Sequence, residues 1–263
     1  MTIHIERGKK YSAQEAKAIV DGLYGKVRER WETRVNQKPF MQQLMAGSLP
    51  HKTLQLFFRN WGAYTIEINT LTACTYHRNI TFFKVNRDLM GPIGEKIADE
   101  FIHPKPPGHF LVMMETAKAL GLSEDEVFTS SMLSEFRGKI DFMRSIVYEG
   151  SAAEWYSAVT TEEQIGHWSA ACYQALTTHY GFDRAKATYF ATHVEADLEE
   201  HEEGVMGHAS FNRMALQRLL ETGMAEERPT YGLEYCAMTS VDLHGAMLRA
   251  ATEEAERGQV RSE

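Results

Sequence analysis

Cysteine is scarce: of 263 residues only Cys74, Cys172 and Cys236 are cysteine, odd in number, far apart and without a C-x-x-C pair. A disulfide frame and a thiolate zinc site are excluded, and reduced, mostly buried thiols are expected. Long apolar runs are also missing. The longest apolar-leaning stretch, residues 60–76, is interrupted by Glu67 and falls short of the roughly 20 residues that span a bilayer, so no membrane partner is expected. Proline numbers only 7, and no Pro-, Gly- or Ser-rich stretch is long enough to be a linker. With no internal repeat either, one domain over residues 1–263 is expected. Positive charge is in the minority, with 28 Lys plus Arg against 36 Asp plus Glu and a net charge of -8. The one mildly basic stretch, residues 26–34, alternates with Glu29 and Glu32 as a solvated helix face does, which argues against a nucleic-acid partner. Residues 1–7 lack a basic segment followed by an apolar one, so a cytoplasmic location is expected.

What is present is ordinary globular material, 43% apolar and 24% charged, patterned at helical spacing. Ser12 and Glu15 form a capping box before Ala16, Ile19, Val20, Leu23 and Val27, which opens a first long helix. Pro39 stands at the first turn of a short helix that Gly47 closes, and the pattern from His51 to about Arg78 stays helical throughout. Pro92 opens a segment to Ile102, residues 103–108 break it, and a helix follows from His109 to Leu120. Ser123 and Glu126 make a second capping box. Further helices are expected at about 133–149, 152–180, 184–207, 211–222 and 230–257, each bounded by Gly, Pro, Asp or Ser. Alternating β-runs are absent. Several helices are apolar over a wide arc, so the fold class is an all-α compact bundle with a buried interior.

The chemistry lies in acids and imidazoles on apolar helix faces. Glu67 shares a face with Ala63, Tyr64, Thr70, Leu71 and Cys74, neighbours that point it inward. Glu100 follows Ile93 and Ile97 on one stripe, and Glu162 is flanked by Ala158, Val159, Ile165 and Ser169. A lone buried carboxylate is costly unless a cation or several donors compensate it, so three together ask for a shared partner. His193, Asp197 and Glu200 lie within about 60° of one another on a regular helix, whereas His201 is displaced by about 80°. A π-bulge would bring His201 onto the face in place of Glu200. With His109 opening the helix after the Pro-rich loop, this oxygen-rich donor set favours iron or manganese over structural zinc.

In this order the residues resemble the heme-oxygenase-like diiron oxidases, relatives of pyrroloquinoline-quinone synthase and thiaminase II. The resemblance covers roughly residues 40–206. It runs from the Phe40, Leu44, Gly47, Leu49 pattern through Glu67 and the Glu100-x8-His109 motif to Glu162 and His193-x3-Asp197. It implies a heme-oxygenase-like bundle with a buried metal site. Glu100, His109, Glu162, His193, Asp197 and His201 would bind two non-heme iron ions, with Mn as a substitute. Glu67 would be an additional or bridging carboxylate. The departure from the family is at the end, where Glu200 stands at the spacing of the usual histidine and His201 comes one residue later, so both stay open as the last ligand. Thiaminase II uses a cysteine on the helix that here carries Glu162, and no cysteine lies within nine residues of Glu162.

The resemblance implies an enzyme that uses dioxygen on a small carboxylate or amino-acid-like metabolite. The outcomes it suggests are carbon–carbon cleavage, decarboxylation or N-oxygenation in specialised biosynthesis. An external electron donor and a homodimer are compatible with it. The rivals are a metal-free oxidase or hydrolase on the same fold, and a non-catalytic helical interaction protein whose acids are structural.

Overall fold

The structure is a computed structural model that describes residues 3–198 and 206–260, and the side chains of all of these but 195–198, 259 and 260. Helix α1, Ala13–Trp31, starts at Ser12, whose hydroxyl accepts the Glu15 amide while Glu15 reaches back to the Ser12 amide. Thus two amides at the helix end are satisfied locally. A π-helical turn, Glu32–Asn36, follows. Gly245 lies against it, where a Cβ would be 2.3 Å from the Arg34 carbonyl oxygen. Helices α2, Pro39–Met45, and α3, His51–Arg78, have the expected bounds.

The chain then adds a short helix α4, Ile80–Val85, and begins α5, Met90–Phe101, two residues ahead of Pro92. Helices α6, His109–Ala119, α7, Glu124–Thr129, and α8, Ser134–Glu149, follow, α7 behind the Ser123–Glu126 capping box. The continuous helix expected at 152–180 is instead α9, Ala152–Ala158, a 3₁₀ turn, Val159–Thr161, and α10, Glu162–His179. No glycine or proline marks this break. The hydroxyls of Ser157, Thr160 and Thr161 donate back to the carbonyls of Ala153, Ser157 and Ala158, at 2.7, 2.6 and 3.2 Å, a pattern that bends helices. Helices α11, Thr188–Leu198, α12, His208–Thr222, and α13, Leu233–Val260, complete the bundle.

Among the described residues the only β pairing is an isolated bridge between Arg228 and Tyr231. No helix there is long and apolar enough to cross a membrane. Cys172 and Cys236 are buried and Cys74 is half-buried, all three free thiols. The long α3 packs against α5, α6, α8 and α13, and α13 packs in turn on α1, α8 and α9. Rings line α3: Trp61 stacks on Phe57 one turn earlier at 5.3 Å, Trp168 of α10 stands 5.5 Å from both Trp61 and Phe190 of α11, and His244 of α13 meets Trp61 at 5.6 Å. Each ring removes a large apolar area from water, and the tilted pairings add to that burial. One face of α3 thereby becomes the common wall for helices arriving from both sides.

Candidate functional site

Residues 102–108 turn the chain back between α5 and α6. Gly108 closes the turn at φ +71°, where a Cβ would lie 2.3 Å from the Glu100 carbonyl oxygen. Only glycine lets the start of α6 come this close to the end of α5. The approach places His109 Nδ1 3.2 Å from Glu100 Oε2. His109 is 2% exposed, and among the described residues its Nδ1 has no aligned hydrogen-bond partner. A buried ring nitrogen beside a carboxylate, but not bonded to it, is an orphan of the kind a cation would complete.

Two more imidazoles gather round. The His193 ring, on α11, is centred 4.7 Å from that of His109, and its Nδ1 is 2.9 Å from the Tyr189 carbonyl oxygen one turn earlier. A carbonyl only accepts, so Nδ1 carries a proton, and Nε2 is the nitrogen through which this ring would ligate a metal. His208, at the start of α12, lies 6.3 Å from His109 ring to ring, with its Nε2 3.0 Å from Asp99 Oδ2. The other Asp99 oxygen is 3.0 Å from His103 Nδ1. Burial alone would raise the two acids. The imidazoles outweigh it, His208 most for Asp99 and His109 most for Glu100, and hold each carboxyl at about 2. Both are anionic at neutral pH.

Glu100, His193 and His208 open onto a cavity of about 90 Å³, walled on the α3 side by Trp61 and Tyr64. That is room for roughly six water-sized groups. The Trp61 indole donates to the Tyr189 hydroxyl at 2.7 Å. Burial raises the phenols of Tyr64 and Tyr189, and the nearby Glu100 charge raises them further, so both stay neutral donors.

Glu162 also lines the cavity, from the first turn of α10 rather than from mid-helix. It already has a cation: its Oε2 is paired with Lys96 Nζ and accepts from Asn212 Nδ2 at 2.6 Å. Lys96 is 4% exposed and donates to Asn212 Oδ1 at 3.1 Å as well. Lys96 stands three residues after Ile93 and four before Glu100, so the apolar stripe of α5 carries two charged residues where one was expected.

Glu67 corrects its inward expectation. It accepts a two-pronged contact from Arg137 at 2.7 and 2.6 Å, and its side chain is 38% exposed. The cavity instead meets Tyr64, Thr65, Ile68 and Thr72, which rotates Glu67 onto the flank that α8 covers. Arg137 holds its carboxyl below the ordinary value.

Asp197 is on α11 with its side chain outside the described part. His201, Glu200 and the bulge expected between Asp197 and His201 lie outside the described residues. Among the described residues no three His, Cys, Asp or Glu side chains converge closely enough to hold a metal ion as they stand. The structure thus brings together Glu100, His109, His193 and Glu162, leaves Glu67 aside, and adds Lys96, Asp99, Asn212 and His208, which periodicity missed. For Lys96 the signal was its i,i+4 relation to Glu100. For His208, opening a helix after Gly207, there was none.

Residues 24–221 match the TENA/THI-4/PQQC family. Among curated proteins none matches at the sequence level. Among solved structures, the chain is similar to a domain of unknown function with a heme oxygenase-like fold from Shewanella denitrificans OS217 (TM-score 0.66, 15% identity, covering 91% of this chain and 94% of that one). It is also similar to a TenA homolog from Pseudomonas syringae pv. tomato DC3000 (TM-score 0.64, 13% identity, 97% and 100% covered). A TenA homologue from P. horikoshii OT3 gives a TM-score of 0.61 at 15% identity, with 89% and 97% covered. At these identities the structures establish the heme-oxygenase-like fold, and the match over most of the chain makes this protein a member of the TENA/THI-4/PQQC family.

Proposed function

We propose that the protein is an O2-dependent non-heme iron oxidoreductase acting on a small carboxylate or amino-acid-like metabolite. The observation that carries this reading is the convergence of Glu100, His109 and His193, with a His109 nitrogen buried and unpaired beside a carboxylate. Imidazole and carboxylate suit iron or manganese. Glu100, His109 and His193 would hold it together with Asp197 and His201, and Glu162 would join on leaving Lys96. Bound iron supplies the activation of dioxygen.

The chain's own groups prepare that chemistry. The Tyr189 carbonyl fixes the His193 tautomer, Asp99 orients His208, and the Trp61, Tyr64 and Tyr189 wall limits water at the acids. Ferrous iron added under nitrogen should bind at one to two ions per chain, by elemental analysis, and oxygen should then produce a transient visible absorption band. Absence of both outcomes rejects the reading.

A second reading is a metal-free enzyme of the quinone-synthase or thiaminase type. It is favoured by the Lys96–Glu162 pair, which compensates the acid without a metal, and by the similarity to TenA homologues. Its nucleophile would not be a cysteine of the cavity: Cys172 lies among Phe57, Phe58 and Trp168 elsewhere in the core, with its thiol pushed up by burial. Activity that survives complete chelation would select this reading.

A further inference from the structure

The same cavity is lined by a further buried charged residue. Lys139, on α8, lines it and is 3% exposed. Its Nζ donates to the Ser240 carbonyl at 2.8 Å and to the Ser240 hydroxyl, both neutral. Among the described residues no carboxylate lies within ion-pair distance of it. By contrast Lys96 has the Glu162 carboxylate beside it, and Glu100 and Asp99 each have an imidazole within 3.2 Å. Burial lowers the Lys139 amine to about 7. A charge in the interior without a counter-ion is held at a large cost, which a bound anion would offset.

The surroundings of Lys139 suit an anion. Two of the three donors of its ammonium are used on Ser240, which leaves one for an occupant. The Ser240 hydroxyl accepts from Lys139 and stands 3.4 Å from that of Thr161, whose own proton goes to the Ala158 carbonyl. His244, behind Lys139 on α13, is kept neutral by burial and by the lysine's charge, its ring packed against Trp31, Trp61 and Trp168. It is therefore not a competing anion partner. The lining also carries the apolar side chains of Trp61, Met143, Trp155 and Ile165.

We propose that Lys139, with the hydroxyl of Ser240, is a carboxylate-binding subsite that receives the acid group of a compact, apolar-bodied monocarboxylate. The body of that acid lies along Trp61 and Met143, and its far end is presented to Glu100 and His193. A cavity of about 90 Å³ suits an acid of amino-acid size. The inference rests on the small-molecule reading of this cavity, not on its metal.

The test compares isovalerate with its neutral amide, isovaleramide, on the full chain as purified and again after chelation, followed by tryptophan fluorescence from Trp61 and Trp155. Isovalerate should bind about tenfold or more tightly than the amide in both states. Lys139→Met, which removes the charge and keeps the volume, should erase that preference and leave amide binding within about twofold. Equal affinities in the native chain, no saturable binding, or a preference that survives Lys139→Met overturns the proposal. So does a preference that disappears on chelation, which would put the carboxylate on a metal. The acid–amide comparison on the native chain decides the matter even if the variant fails to fold. A chain that binds no iron but shows the Lys139-dependent preference would reject the iron reading and keep this one.

Discussion

Glu100 and His109 meet at 3.2 Å without a hydrogen bond, and the tautomer of His193 is set by a main-chain carbonyl. The first leaves a buried carboxylate and imidazole side by side, and the second turns Nε2 of His193, not Nδ1, toward any cation. His109→Ala and His193→Ala should each weaken ferrous iron binding by about 100-fold or more at one site, while far-UV circular dichroism stays nearly native. Stoichiometric iron in both variants would remove them from the ligand set. Glu67 is the contrasting residue, since its partner is Arg137 on a partly solvated flank. Pairs of that kind contribute little, so Glu67→Ala should cost less than about 1 kcal/mol in urea unfolding and leave iron stoichiometry unchanged. Loss of iron in that variant would restore Glu67 as a ligand.

At the scale of elements, the site depends on how closely two helix ends approach. Gly108 is the hinge of that approach, and a side chain there meets both a backbone conformation reserved for glycine and the main chain of Glu100. Gly108→Ala should destabilise by about 2–4 kcal/mol and lower iron affinity at the same time, because relief of the clash moves α5 away from α6. Gly94 is the internal control: it sits on the exposed side of α5, and a Cβ there meets nothing within 4 Å. Gly94→Ala should leave iron binding alone and raise stability by up to about 1 kcal/mol through helix propensity. Thermal unfolding and iron titration of the pair separate a local helix effect from the registry of α5 against α6. Equal behaviour of the two variants would show that the turn does not hold the site.

For the molecule as a whole, the uncompensated lysine ties stability to pH. The folded-state value of Lys139, about 7, lies below the ordinary lysine value of 10.5. The unfolded chain therefore binds more protons between these two values, and stability rises with pH across that window. Below about 7 the amine is charged in both states and the full cost of burying it is present. Lys139→Met should accordingly be more stable than the native chain by about 1–4 kcal/mol below pH 7, with the difference shrinking as pH rises toward 10.5. Urea unfolding at several pH values measures it, and a difference that does not vary with pH would mean the amine is not charged at the cost described. A bound carboxylate should offset the same cost, so isovalerate should stabilise the native chain more than the variant.

The local elements were legible because their causes are local. The capping boxes at Ser12 and Ser123 and the apolar period of α3 are interactions within three or four residues, and the helices begin and end where those patterns do. Glu100 on the α5 stripe and His109 after the turn were readable for the same reason. The break at Val159–Thr161 was not, because hydroxyl groups rather than glycine or proline produce it. Tertiary structure alone decided the partners of the buried charged groups: Lys96 with Glu162 across 66 residues, Lys139 with the neutral Ser240 across 101, and Asp99 with His208 across 109. A helical period says that a side chain is turned from water, but its partner is set by which helices pack together. The compensation of Lys96 and, among the described residues, the lack of a carboxylate at Lys139 are therefore properties of the packed bundle and not of any segment of it.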